Sequence, residues 1–215
     1  MIKKGCLDIL QKKCESCMDC VLGNTRNNIV FSDGNPESAK IVLIGEAPGE
    51  TEDETGKPFV GRAGQLLDKF LENAKISRQN DLYIINTVKC RPPENRVPTD
   101  VEKAMCERYL TAQIDIINPR AIIFCGATAL KSFRNEKKLQ ISKVRGQWFD
   151  VTINGKTYPA MAIFHPSYLL RNHSMEEGSP RRLMEQDLAE IKSRYLYDST
   201  YSKNPFDERI PVLAV

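Results

Sequence analysis

The 215-residue chain has only two histidines, no G-x-G-x-x-G run, no internal repeat and no low-complexity tract. No apolar run approaches the roughly 20 residues of a membrane helix, and the first residues lack the basic, apolar and small-residue order of an export signal, so a cytoplasmic protein with no membrane contact is expected. The net charge of +3 is too small for the whole-molecule field to hold a polyanion. Nucleic-acid binding would need a local basic face. Arg91 with Arg96, Lys143 with Arg145, and Arg171 with Arg181 and Arg182 are candidates for one, although a solvated surface of mixed charge accounts for the same residues. What is present is ordinary globular material, 41% hydrophobic and 27% charged, in a length that suits one domain with extensions. A monomer is the simplest expectation.

Seven cysteines without an export signal argue against a disulfide framework and toward metal or cluster ligation. Cys14, Cys17 and Cys20 form two overlapping C-x-x-C pairs, and Cys90 and Cys106 follow far downstream. A zinc ribbon normally presents a second C-x-x-C pair, which is missing. One thiolate on a loop and one on a helix suit an iron-sulfur cube held by four thiolates, but spacing alone leaves zinc open. Cys6, on an amphipathic segment, and Cys125, at the end of an apolar run, read as core or surface thiols.

Elements alternate along the chain. Residues 2 to 13 read as a helix leading into the cysteines. Ile41 to Ile44 is a continuous apolar run, as expected of a strand buried on both faces. A loop rich in glycine and acids follows, and a helix begins near Ala63, with Leu67, Phe70, Leu71 and Ala74 on one stripe. Leu82 to Ile85 is a second strand ending at Asn86. The segment from Cys90 to Pro98 contains three prolines and is a rigid loop. Thr99-Asp-Val-Glu102 reads as a capping box for a helix that carries Cys106 and ends near Asn118-Pro119. Ala121 to Cys125 is a third strand, followed by a helix from about Ala127. Gln147 to Ile153 and Thr157 to Phe164 form a hairpin turning at Asn154-Gly155, and His165 sits at its end. A helix from about Pro180 to Tyr195 completes a domain spanning 1 to 195, and 196 to 215 is a C-terminal extension.

This order implies an α/β fold with a central, mostly parallel sheet. The loop after Ile44, Asn86 and His165 then share the sheet's carboxyl edge, where open α/β sheets bind ligands. If the strands before the first loop and before His165 lie side by side, the two segments are walls of one site. A dinucleotide is excluded there, because Glu46, Glu50, Glu52, Asp53 and Glu54 would repel phosphates.

Four segments in order carry a specific resemblance: Gly45-Glu-Ala-Pro-Gly49; Gly56-Lys-Pro-Phe-Val-Gly-Arg-Ala-Gly64; Asn86-Thr-Val-Lys-Cys-Arg-Pro-Pro-Glu-Asn-Arg96; and His165-Pro-Ser-Tyr-Leu-Leu-Arg171. From about Cys17 to Tyr195 the chain resembles the family 4, iron-sulfur uracil-DNA glycosylases. The resemblance implies a three-layer α/β/α fold and hydrolysis of the N-glycosidic bond of deoxyuridine in DNA, the first step of base excision repair. It also implies a 4Fe-4S cluster on Cys17, Cys20, Cys90 and Cys106, with Cys14 as an extra thiol able to compete. The cluster's expected role is structural, pinning the proline-rich loop and its arginines against DNA.

Residue types then suggest roles. Phe59 would stack on a flipped pyrimidine. The Asn86 amide can donate to uracil O4 and accept from N3-H, a pattern that rejects cytosine. His165 is placed to hydrogen-bond O2 as negative charge develops there. The backbone of Glu46, Ala47 and Pro48 would line the pocket. Leu169 is the expected wedge into the vacated stack, with Leu170 next, and Arg171 would grip a phosphate. Relative to the family 1 pattern Gly-Gln-Asp-Pro-Tyr-His, Ala47 replaces the water-activating Asp and Gly49 the Tyr that bars the thymine methyl. Glu46 is the first choice to position the water, with Glu52 and Asp53 as alternatives. A non-catalytic or covalently capturing uracil-DNA module on the same scaffold is the competing reading. An iron-sulfur redox protein is a third, but it leaves Phe59, Asn86 and His165 unexplained. The tail is a candidate docking segment for a replication or repair partner.

Overall fold

The structure is a computed structural model that describes residues 2–134 and 138–197. Its element order is α1 (Ile2–Glu15), β1 (Ile41–Gly45), α2 (Glu50–Thr55), α3 (Arg62–Asn73), β2 (Leu82–Asn86), α4 (Asp100–Ile117), β3 (Ala121–Cys125), α5 (Ala127–Lys131), α6 (Ile141–Val144), β4 (Trp148–Ile153), β5 (Lys156–Ile163), α7 (Pro166–Leu169) and α8 (Pro180–Tyr195), with short 3₁₀ turns at Val21–Asn24 and Pro93–Asn95. The strands form one sheet in the order β2-β1-β3-β5-β4. Only the β4–β5 pairing is antiparallel. The extension beyond Tyr197 lies outside the described residues.

The apolar runs form central strands because both faces of each are covered, and every residue of β1, β2 and β3 is buried. Alternate side chains go to opposite layers. Val42, Ile44, Tyr83, Ile85, Ile122 and Phe124 pack with Leu7 of α1 and with Tyr109, Leu110, Ile114 and Ile117 of α4. Ile41, Leu43, Leu82, Ile84 and Ile123 pack with Leu67, Phe70 and Leu71 of α3 and with Met184, Leu188 and Ile191 of α8. These two cores make the three-layer α/β/α architecture expected from the sequence. At 25 to 30 cal/mol per Å² of apolar surface, each fully buried leucine or isoleucine contributes about 1.5–3 kcal/mol.

Local signals read from the sequence correspond to observed geometry. Thr99 caps α4, its side chain accepting from the Glu102 N–H at 3.2 Å while Glu102 Oε2 accepts from the Thr99 N–H at 2.8 Å. Asn118 ends that helix in the left-handed region, at φ 48°. Asn154 and Gly155 turn the hairpin with φ 49° and 78°, as a two-residue type I′ connection requires.

Three expectations are corrected. β1 and β5 are not neighbours, because β3 lies between them. The acid-rich loop contains the one-and-a-half-turn helix α2. Arg145 does not belong to an open basic face: its guanidinium pairs with the buried Asp187 of α8 and lies over the Phe164 ring.

Candidate active site at the carboxyl edge of the sheet

Strand register assembles the site. Gly45 of β1 is level with Asn86 of β2, and Cys125 of β3 is level with Ile163 of β5. The ends of four parallel strands therefore present Asn86, Gly45, Gly126 and His165 in a row. The intervening β3 does not separate the two walls because Gly126 follows it: a Cβ there would lie 2.9 Å from His165 Cβ, and its φ of +97° disfavours any other residue. Gly45 does the same on the other side, where a Cβ would come within 2.3 Å of Asn86 Oδ1 and 2.6 Å of the Phe59 ring. The Phe59 and His165 rings are 5.8 Å apart between centroids. Three side chains from distant parts of the chain thus meet around a strand end with no side chain of its own.

Each of the three has a defined chemical state. Asn86 is buried, and its Oδ1 has no hydrogen-bond partner among the described residues. A buried unpaired oxygen is costly unless a ligand completes it. His165 caps α7, with Nδ1 accepting from the Ser167 N–H at 3.2 Å and lying 2.7 Å from Ser167 Oγ. An acceptor Nδ1 leaves the proton on Nε2. Burial lowers the His165 pKa to about 4, against the opposing charge of Glu52, so the ring is a neutral donor at physiological pH.

The acids divide by task. Glu52 is taken up by the backbone: Oε1 accepts from Val60 N (2.8 Å) and Gly61 N (2.7 Å), and Oε2 from Gly49 N (3.2 Å), closing the loop at both ends. Asp53, fully buried, accepts from the Asn27 and Asn28 N–H groups and from the Asn27 amide. Both alternatives for activating water are therefore structural. Glu50 pairs with Arg91 at 3.3 Å. Glu46 differs from these: burial raises its carboxyl pKa, with a Thr128 hydrogen bond and the Lys103 charge opposing. Its carbonyl accepts from Thr87 Oγ1 and from Val88 N, which fixes the backbone leading into Ala47 and Pro48.

Residues 31–189 match the family model of the uracil DNA glycosylase superfamily. The chain is 48% identical over 187 residues to the type-4 uracil-DNA glycosylase of Thermotoga maritima, covering 87% of this chain and 93% of that protein. It is 41% identical to that of Archaeoglobus fulgidus (80% and 86% covered) and 39% to that of Saccharolobus solfataricus (86% and 85%). The chain belongs to the uracil-DNA glycosylase superfamily. The relatives named here are all type-4 uracil-DNA glycosylases.

In this glycosylase scaffold the cysteines form a second centre behind the pocket. Cys14, Cys17, Cys20, Cys90 and Cys106 line one small cavity, together with Arg26, Lys89, Met105 and Tyr109. Among the described residues no three of His, Cys, Asp and Glu gather tightly enough to hold a single metal ion. The sulfurs surround a space. Their donors suit thiolates: Arg26 Nη1 is 3.4 Å from Cys90 Sγ, the Lys89 N–H is 3.3 Å from Cys106 Sγ, and Arg108 Nη2 is 3.7 Å from Cys17 Sγ. No such donor reaches Cys14 among the described residues, and its side chain is packed into the α1–α4 core. This donor set, soft sulfur with cations and N–H groups behind it, fits a thiolate-bound soft metal or iron-sulfur cluster.

The DNA-facing expectations are sorted by burial. Leu169 is fully buried in the core beneath α7, so it cannot serve as the wedge. Leu170, one residue on, is half-buried, and Arg171 is exposed. Arg96 is held bidentately by Glu102 at 2.6 and 2.8 Å and depresses that carboxyl to about 2, which makes it a brace of the proline-rich loop. Arg91 is hydrogen-bonded to Asn95 as well as to Glu50. Sequence reasoning missed Lys89 altogether. It is fully buried, and its ammonium donates to the Asn86 carbonyl at 2.8 Å while facing Cys14, Cys90 and Cys106. The only available signal was a lysine placed between apolar Val88 and a candidate ligand.

Proposed function

We propose that the protein is a monofunctional uracil-DNA glycosylase that flips deoxyuridine out of DNA, hydrolyses its N-glycosidic bond and leaves an abasic site for base excision repair. The observation that carries this reading is the convergence of an unpaired Asn86 Oδ1, a neutral His165 with its proton on Nε2, and the Phe59 ring around Gly45. Flipping costs a few kcal/mol, which contacts in the pocket repay. Phe59 stacks on the extruded ring. Asn86 Oδ1 accepts uracil N3-H and its amide nitrogen donates to O4, whereas cytosine presents an acceptor and a donor at those positions. Bond cleavage places negative charge on uracil O2 and positive charge on the sugar. His165 Nε2–H donates to O2, and a donor aimed at developing charge is commonly worth several kcal/mol. The Glu46 carboxylate positions the attacking water and faces the cationic sugar, while the backbone of Glu46, Ala47 and Pro48 lines the pocket.

Leu170 enters the vacated stack, and Arg171 and Arg91 contact phosphates. Cys17, Cys20, Cys90 and Cys106 hold a 4Fe-4S cluster whose role is to fix the proline-rich loop. The donors that reach Cys17, Cys90 and Cys106 support those three ligands, and the fourth is Cys20 because it packs beside Cys90 and Cys106 while Cys14 is buried in the α1–α4 core. The working form is a cytoplasmic monomer. The capture-module reading finds no favour, because the relatives named above are glycosylases.

The test is cleavage of a labelled oligonucleotide carrying one deoxyuridine, followed by alkali. Strand breaks at the uracil with wild type, and their loss in His165→Ala and Asn86→Ala, are expected. Tight binding without breaks would move the assignment to the capture module.

A further inference from the structure

The stacking residue occupies a backbone conformation that its own chemistry does not favour. Phe59 has φ 53°, in the left-handed region that a residue with a Cβ rarely adopts. The turn there brings two successive carbonyls onto one guanidinium. Arg78 Nη2 donates to Pro58 O at 2.6 Å, and Nη1 to Phe59 O at 3.2 Å. The same side chain is anchored at its other edges, Nε to Asp33 Oδ2 at 2.7 Å and Nη1 to Asp68 Oδ1 at 2.8 Å. Asp68 belongs to α3. Asp33 pairs through its backbone with Ile84 of β2, two residues before Asn86. The first turn of α3 lies close against the same peptide: a Cβ at Gly64 would lie 1.9 Å from Phe59 O.

We propose that Arg78 is a positioning residue for base stacking. It holds the Pro58–Phe59 turn so that the Phe59 ring lies over Gly45, and it locks that turn to the strand that carries Asn86. This rests on the reading of Phe59 as the stacking surface. The planar fork is essential, because one group must reach two carbonyls and two carboxylates at once. Lysine keeps the charge but not the fork. A purely structural arginine would lower stability and leave the chemistry of folded molecules intact.

A double-mutant cycle separates these possibilities. Single-turnover cleavage of a deoxyuridine duplex is measured for wild type, Phe59→Ala, Arg78→Met, Arg78→Lys and the Phe59→Ala/Arg78→Met double variant, with thermal unfolding alongside. A misplacement of about 1 Å commonly costs on the order of 100-fold. Arg78→Met and Arg78→Lys should therefore be slowed roughly tenfold to 100-fold, and the double variant should be no slower than Phe59→Ala alone. Arg78→Lys keeps a cation between Asp33 and Asp68, so it carries the test if the methionine variant does not fold; slow cleavage by folded Arg78→Lys supports the proposal. Wild-type rates in the folded Arg78 variants overturn it, as does a double variant slowed by the product of the two single effects. A wild-type rate for Phe59→Ala would instead remove the stacking reading itself.

Discussion

The uracil pocket and the cysteine chamber sit back to back, joined through Asn86 and Lys89, and they are built on opposite terms. The pocket is finished by the protein's own hydrogen bonds. Glu52 closes the loop, Asp53 ties it to Asn27 and Asn28, Ser167 sets the His165 tautomer, and among the described residues Asn86 Oδ1 is left unpaired at the strand end. The chamber holds five cysteines around a cavity, with Arg26 and a fully buried Lys89 against them. A buried ammonium is unfavourable without negative charge beside it, and the sulfurs of Cys106, Cys14 and Cys90 are the groups that face Lys89. The lesson is that the pocket is shaped by hydrogen bonds within the chain, whereas the chamber is defined by the sulfur and charge gathered in it.

This contrast assigns rate effects to the pocket and stability effects to the chamber. The largest rate effect is expected for His165→Ala, a fall of about 10²–10³ in single-turnover cleavage, since the lost interaction is one made to the developing charge, with stability lowered only by about 1 kcal/mol for the lost α7 cap. An equal fall in thermal stability would blur the distinction. Next, Cys90→Ala is expected to remove the visible absorbance and bound iron and sulfide of the purified protein, and to lower its melting temperature. Cys14→Ala should retain iron and sulfide, and their loss there would move the ligand assignment.

A smaller change concerns pH. Glu46 is needed as a carboxylate and its pKa is raised, so kcat/KM should fall as pH drops through a value above its ordinary 4.5, while His165, at about 4, is still neutral. Glu46→Gln should be slower and should lack this acid limb; full turnover would remove Glu46 from the mechanism. Smallest in rate is the leucine pair. Leu169→Ala should destabilise by about 2–5 kcal/mol as a core truncation, whereas Leu170→Ala should melt like wild type and lose activity on duplex substrate. The reverse pattern would restore Leu169 as the wedge.

Much of this was legible in the sequence because it is local. Continuous apolar runs announced three doubly covered strands, Thr99 and Glu102 announced a cap, and Asn154-Gly155 a hairpin. The placement of Asn86 and His165 at strand ends followed from where those runs stop. What was hidden depends on partners far along the chain. Glu52 and Asp53 read as free acids until the N–H groups they bind, at Val60, Gly61, Asn27 and Asn28, were in view. That β3 intervenes between β1 and β5 is a matter of topology that no local pattern encodes. The choice between Leu169 and Leu170 turns on which face α7 lays against α3 and α8. Arg78 and Lys89 are charged residues whose burial arises only from tertiary packing.

The most direct test of the account is a leaving-group comparison. Single-turnover rates for wild type and His165→Ala are measured on DNA containing deoxyuridine and on DNA containing 5-fluorodeoxyuridine, whose base leaves more readily as an anion. If His165 stabilises the departing uracil anion, the penalty for losing it should be clearly smaller on the fluorinated substrate; an equal penalty on both would mean that His165 serves binding or structure and would contradict the mechanism.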